Sequence, residues 1–197
     1  MSGGVREFVL VPHPTASMPT DAASIVARWR REGDAFELEY EIVSREPVVL
    51  QPCGVPRGRR DGLWHHTCCE WFIADAASGS SRVHDGPYLE FNFSPTGEWA
   101  AYAFDAPRVG MRDFLWDAGV PEPEVRHEMS VADVDRAAQR CRVTARLAMP
   151  LSMPRAYVRP TVVLETTLGI SYWAATHPLA HPDFHHPLGF VGPIEVP

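Results

Sequence analysis

Tyr88, Glu90, Asn92 and Ser94 occupy every second position of one short segment, alternating with Leu89, Phe91 and Phe93. In an extended strand this spacing sends the apolar set to one face and the polar set to the other. A row of phenol, carboxylate and amide can hydrogen-bond hydroxyl groups, while a neighbouring aromatic ring stacks on an apolar C–H face. A second segment, Cys68 to Ala74, adds Glu70 to that row if the two strands pair, with Glu70 and Phe72 on a shared face. The structural alternative is a solvated or loop-covered polar ladder that only fixes register, with Glu90 paired to an arginine such as Arg112.

Stacking platforms are available in Trp64, Trp99, Trp116 and Trp173. A large aromatic inside a strand is more often core than ligand platform. Trp64 is the first choice for an exposed ring, because it sits in a loop just before a strand and beside His65 and His66. Tyr102 is a further rim residue, and His185 a polar contact from the last loop. The candidate ligand contacts are therefore Trp64, Glu70, Tyr88, Glu90, Asn92, Tyr102 and His185.

His177, His181, His185 and His186 cluster near the C-terminus around Asp183. Their four-residue spacings would share a helical face, but Pro178, Pro182 and Pro187 argue against a helix there. A loop could gather His65, His66 and His185 about a zinc ion, which needs three or four ligands. No His-Glu-x-x-His motif supports that, so hydrogen bonding within an ordered loop is the preferred reading and no metal is expected. Glu70 and Glu90 would suit glycoside hydrolysis if their carboxyls lay about 5–9 Å apart. There is no Gly-x-Ser-x-Gly elbow, and Gly54 to Gly58 lacks the ending of a phosphate-cradling loop. No catalytic residue and no cofactor are assigned.

The elements that must position these groups are short strands. The 197 residues fit one domain, spanning residues 1–197, and 19 prolines favour strands and loops over long helices. Phe36, Leu38, Tyr40 and Ile42 alternate with glutamates, and Glu32-Gly33-Asp34 makes the turn that pairs this strand with Ile25 to Arg31. Ser94-Pro95-Thr96-Gly97 turns Tyr88 to Ser94 back into Trp99 to Phe104. Val125 to Val131, Arg142 to Met149, Thr161 to Leu168 and Ile170 to Ala175 continue the series. Val131 to Gln139 and Leu151 to Tyr157 read as short helices. The expected fold class is an all-β, antiparallel sandwich.

A formal charge of -7 argues against a nucleic-acid partner. The basic run Arg57, Arg59, Arg60 reads as a solvated loop. No apolar window has the length of a membrane span, and Met1 to Val11 lacks an export-type apolar core, so a cytoplasmic location is expected. Cys53, Cys68, Cys69 and Cys141 show no Cys-x-x-Cys spacing and are expected to be small buried hydrophobes, not disulfides.

Three passages together carry a family resemblance: Asp61 to Phe72 (DGLWHHTCCEWF), Tyr88 to Tyr102 (YLEFNFSPTGEWAAY), and Ser171 to Ala174 with His177-Pro178 and Pro182 to His185. The pattern resembles the bacterial DOMON-like proteins related to family 9 carbohydrate-binding modules, over roughly Phe8 to Phe190. The resemblance implies an immunoglobulin-like β-sandwich whose relatives bind sugars or haem on one sheet face. Haem-binding relatives use an axial Met and His; nothing marks such a pair here, although Met111 and several histidines exist. The expectation is non-catalytic binding of a small polar ligand of the saccharide kind. A hydrolase using Glu70 and Glu90 or a histidine zinc site, and a protein-interaction or oligomerisation module, stand as alternatives.

Overall fold

A computed structural model describes residues 4–16, 22–51, 58–76, 85–133, 138–148 and 153–196. Twelve strands run through it: β1 Arg6–Pro12, β2 Ala23–Glu32, β3 Ala35–Ser44, β4 Cys68–Asp75, β5 Tyr88–Phe93, β6 Trp99–Phe104, β7 Arg112–Asp113, β8 Glu124–Asp133, β9 Ala138–Ala148, β10 Arg155–Thr166, β11 Gly169–Ala174 and β12 Val191–Glu195. All their pairings are antiparallel, in the order β7-β6-β5-β4-β10-β11-β1-β2-β3-β9-β8, with β12 added beside β10. The chain is therefore all-β, a single antiparallel sheet path that curls over on itself.

The curl follows from β1. Its residues Arg6 to Leu10 pair with β2, whereas Val11 and Pro12 pair with β11. The inner faces of the two halves pack together: Trp29 lies 5.1 Å from Trp71 by ring centroids, and Phe8 lies 6.2 Å from Trp71. Leu38, Tyr40 and Ile42 meet Ile73, Phe91 and Phe93 in this core, as the alternation of both segments requires. The Tyr40 hydroxyl crosses the interface to donate to the Glu70 carbonyl at 2.5 Å.

The β2–β3 hairpin forms as its turn residues predict, with Gly33 at φ 62. The two segments read as helices do not form them. Val131 to Asp133 and Ala138 to Gln139 belong to β8 and β9, Arg155 to Tyr157 belong to β10, and Met153 and Pro154 are non-helical; residues 134–137, 151 and 152 lie outside the described residues. Helix-favouring composition is overruled there by cross-strand pairing, Val131 opposite Gln139 and Asp133 opposite Ala138 in the first segment and Ala156 opposite Asp75 in the second.

Cys68, Cys69 and Cys141 are buried free thiols; Cys53 lies outside the described residues. Arg59 pairs with Asp61 and Asp113, and Arg60 with Glu98 at 2.9 Å; Arg57 lies outside the described residues. Among the described residues no helix is long and apolar enough to cross a membrane.

Candidate functional site

The site lies on the outer face of β4, β5, β6, β10 and β11. The strand register places Glu70 opposite Asn92 and Phe72 opposite Glu90, so Glu70 and Glu90 are diagonal neighbours on one face. That face is not wet, as a free polar row would be. Tyr88, Glu90, Asn92 and Ser94 are each at most 4% exposed, because strand residues Phe72, Phe104 and Tyr157 form a second apolar cluster on this face with Leu63 and Phe184 from the connecting loops. The cover is incomplete. It leaves a pocket of about 410 Å³ with Glu70 and Glu90 in its wall beside Trp64, Tyr172, Phe184 and His185.

Each carboxylate is held from within the fold. Thr161 on β10 donates its hydroxyl to Glu70 Oε2 at 2.9 Å, and Asn92 Nδ2 donates to Glu90 Oε1 at 2.7 Å. Burial pushes the Glu70 carboxyl up from its ordinary range, and repulsion from Glu90 adds to the rise. Burial raises Glu90 too, against the opposing pull of the Asn92 hydrogen bond and the Arg108 charge. Arg112, offered as a partner for Glu90, instead pairs with Asp105 at 2.7 Å.

The last loop supplies the opposite wall. The Arg159 guanidinium is fully buried beneath it and donates to the His186 carbonyl at 2.9 Å and the Thr176 carbonyl at 3.5 Å. Gly189 makes room for this, since a Cβ there would stand 1.9 Å from Arg159 Nη1. The loop so anchored delivers His185 to the pocket. Its Nε2 stands 3.8 Å from Glu90 Oε2, and burial, then the Arg108 charge, push its pKa down to about 4.

Four of the seven candidate contacts meet in this pocket: Trp64, Glu70, Glu90 and His185. The other three stand just behind it. Tyr88 is stacked on Phe104 at 4.8 Å and bonded to His185; Asn92 is sealed beneath Glu90. Tyr102 meets Trp64 edge-on at 5.7 Å, donates its hydroxyl to Asp61 at 2.6 Å and lines an adjoining cleft. Trp64 is half-buried and carried by the 3₁₀ turn Leu63–His65, entered through Gly62 at φ 76.

The other tryptophans are not platforms. Trp99 and Trp173 are core, and Trp116 packs against Trp99 and Phe91. Tyr172, Arg108, Phe104 and Phe184 line the pocket without having been singled out from the sequence. Period-two geometry could have found Tyr172, because its neighbour Trp173 faces the core. The zinc arrangement does not form. His66 pairs with Glu165 at 2.7 Å, and among the described residues no group of three or more His, Cys, Asp or Glu could hold a metal ion.

Two buried carboxyls beside an aromatic rim thus share one concave pocket on an all-β scaffold. No family model matches the chain, and no curated protein matches it. A solved structure titled a putative carbohydrate-binding protein from Bacteroides uniformis ATCC 8492 is similar in fold, with a TM-score of 0.60 at 13% identity. The match covers 93% of this chain and 84% of that one, so the likeness extends to the architecture as a whole.

Proposed function

We propose that this chain is a non-catalytic binding domain for a small polar ligand of the saccharide class, held in the pocket between Trp64 and the Glu70–Glu90 pair. The observation that carries the reading is the combination of two buried carboxyls with a half-exposed indole across about 410 Å³ of space. Carboxyl and imidazole groups suit hydroxyls, and Trp64 suits the C–H face of a ring. Asn92 and Tyr88 hold the contact residues rather than touch the ligand. The similar fold of a protein titled as carbohydrate-binding supports the same reading. So does the immunoglobulin-like sandwich of DOMON-like proteins, toward which we read the curled sheet. A reducing, cytoplasmic setting would suit the buried free thiols.

Calorimetric titration with a panel of mono- and disaccharides tests it. A binder should emerge whose affinity falls at least tenfold in Trp64→Ala and in Glu90→Gln, both folded by circular dichroism. Undiminished affinity in both variants would remove the site assignment.

One observation favours a second reading. Diagonal residues on paired antiparallel strands stand about 7–8 Å apart, with their Cβ atoms somewhat closer, a spacing from which the Glu70 and Glu90 side chains can reach the separation of glycosidase carboxyl pairs. Release of nitrophenol from a panel of aryl glycosides, abolished by Glu70→Gln, would establish hydrolysis in place of simple binding.

A further inference from the structure

The charges around the pocket do not balance, and the imbalance bears on the ligand. Glu70 and Glu90 on β4 and β5 are 3% and 4% exposed, and Asp183 stands on the last loop. Against these three carboxyls stand two guanidinium groups. Arg108 pairs with Asp183 at 2.8 Å. Arg159 on β10 gives Nη1 and Nη2 to the His186 and Thr176 carbonyls, keeps a buried Nε without a partner, and acts on Glu70 through its charge without an ion pair. No salt bridge to an arginine or lysine reaches Glu70 or Glu90 among the described residues; the nearest basic group, His185 Nε2, is 3.8 Å from Glu90. Each glutamate has one oxygen held by Thr161 or Asn92, which leaves Glu70 Oε1 and Glu90 Oε2 for whatever enters.

The buried titratable neighbours are held neutral, while His65 lines the pocket from an exposed position. Tyr88 on β5 and Tyr102 on β6 are phenols raised by burial. Cys68 and Cys69 on β4 and Tyr40 on β3 are raised by burial in the same way. His185 is neutral for the same physical reason.

We propose that the pocket selects a saccharide bearing a protonated amine, the ammonium seated between Glu70 and Glu90 and the ring against Trp64. This rests on the saccharide reading and narrows it. An ammonium supplies three donors to two carboxylates that otherwise repel each other, and the aromatic walls of Tyr172 and Phe184 tolerate a cation at their faces. A neutral sugar leaves the like charges facing one another, so the pair must keep a proton. An ammonium replaces that proton, which passes to the buffer as the ligand binds.

The test uses matched probes on the intact chain at neutral pH: glucose, glucosamine and N-acetylglucosamine, with the galactose and mannose counterparts, and putrescine as an amine without a sugar ring. Glucosamine or one of its epimers should bind at least tenfold more tightly than both its neutral and its N-acetylated counterparts. Glu70→Gln and Glu90→Gln should erase the preference. Should either variant fail to fold, wild-type titrations in phosphate and in HEPES, which differ in ionisation enthalpy and hold no primary amine, carry the decision, because amine binding must release protons and neutral-sugar binding must not. Equal or tighter Trp64-dependent binding of the neutral sugars overturns the amine selection and leaves the saccharide reading standing. Trp64-independent binding of putrescine as tightly as any amino sugar overturns both. So does the absence of binding by every probe.

Discussion

The Tyr88 hydroxyl lies 2.6 Å from His185 Nδ1, tying strand β5 to the final loop. The phenol oxygen also accepts the Arg108 backbone N–H at 3.3 Å, which leaves its own proton for Nδ1. With the phenol donating to Nδ1, the imidazole proton sits on Nε2, the nitrogen that faces Glu90. Nitrogen-15 spectra at neutral pH should show His185 as the Nε2–H tautomer. Tyr88→Phe should lose that signature and about 1 kcal/mol of stability in urea unfolding. An unchanged tautomer in the variant would break the assignment.

Two opposed pH limbs follow from the same cluster. Burial raises the Glu70 and Glu90 carboxyls above their ordinary value of 4.5, so the folded chain holds protons that the unfolded chain has released. Their contribution is fully present below that value and is lost as pH rises through the folded titration. His185 has the opposite sign. Depressed from 6.5 to about 4, it contributes fully above 6.5, and the contribution is lost as pH falls toward 4. Melting temperature against pH should therefore be flattened on the alkaline side by Glu70→Gln and on the acid side by His185→Gln. A variant that flattens the wrong limb would contradict the signs.

Gly189→Ala should be far more damaging than an exposed glycine change. The added methyl would stand 1.9 Å from Arg159 Nη1 and 2.0 Å from its Cζ, forcing the buried guanidinium out of place. A loss of about 2 kcal/mol or more is expected from such overpacking. Saccharide affinity should fall with it, because the displaced loop carries Phe184 and His185. Chemical denaturation and the binding titration together check both parts; a normal denaturation midpoint would show that the guanidinium has room to move.

Tyr40→Phe isolates the link between the two halves of the sheet. It deletes only the hydroxyl that donates to the Glu70 carbonyl at 2.5 Å. A loss of about 1–2 kcal/mol is expected in urea unfolding. Unchanged stability would mean that the cross-core bond contributes nothing net.

The alternation in β5 and β3 made both faces of those strands readable in advance, because each side chain's direction there depends only on parity. The pairing that puts Glu70 beside Glu90 followed once β4 was read as extended. What parity could not convey was the cover. Whether Asn92 meets water depends on a loop some ninety positions further along, fixed by Arg159, whose role is not written in its local neighbourhood. Arg108 escaped notice for a related reason: it stands in a turn at φ 60, where no periodic pattern marks it. The mistaken helices share a cause, since local composition was outweighed by strand pairing, of Val131 with Gln139 in one segment and of Ala156 with Asp75 in the other.

Strand β1 imposes an order of events on the folding chain. Val11 lies opposite Ala174, whereas Leu10, one residue earlier, lies opposite Ile25. The curl therefore closes only after nearly the whole sequence is available, and each local hairpin must wait, half its apolar face bare, for that distant partner. Such non-local closure makes for slow assembly. Refolding and unfolding rates of Val11→Ala locate that closure: slower refolding places it within the folding barrier, and faster unfolding alone places it after the barrier.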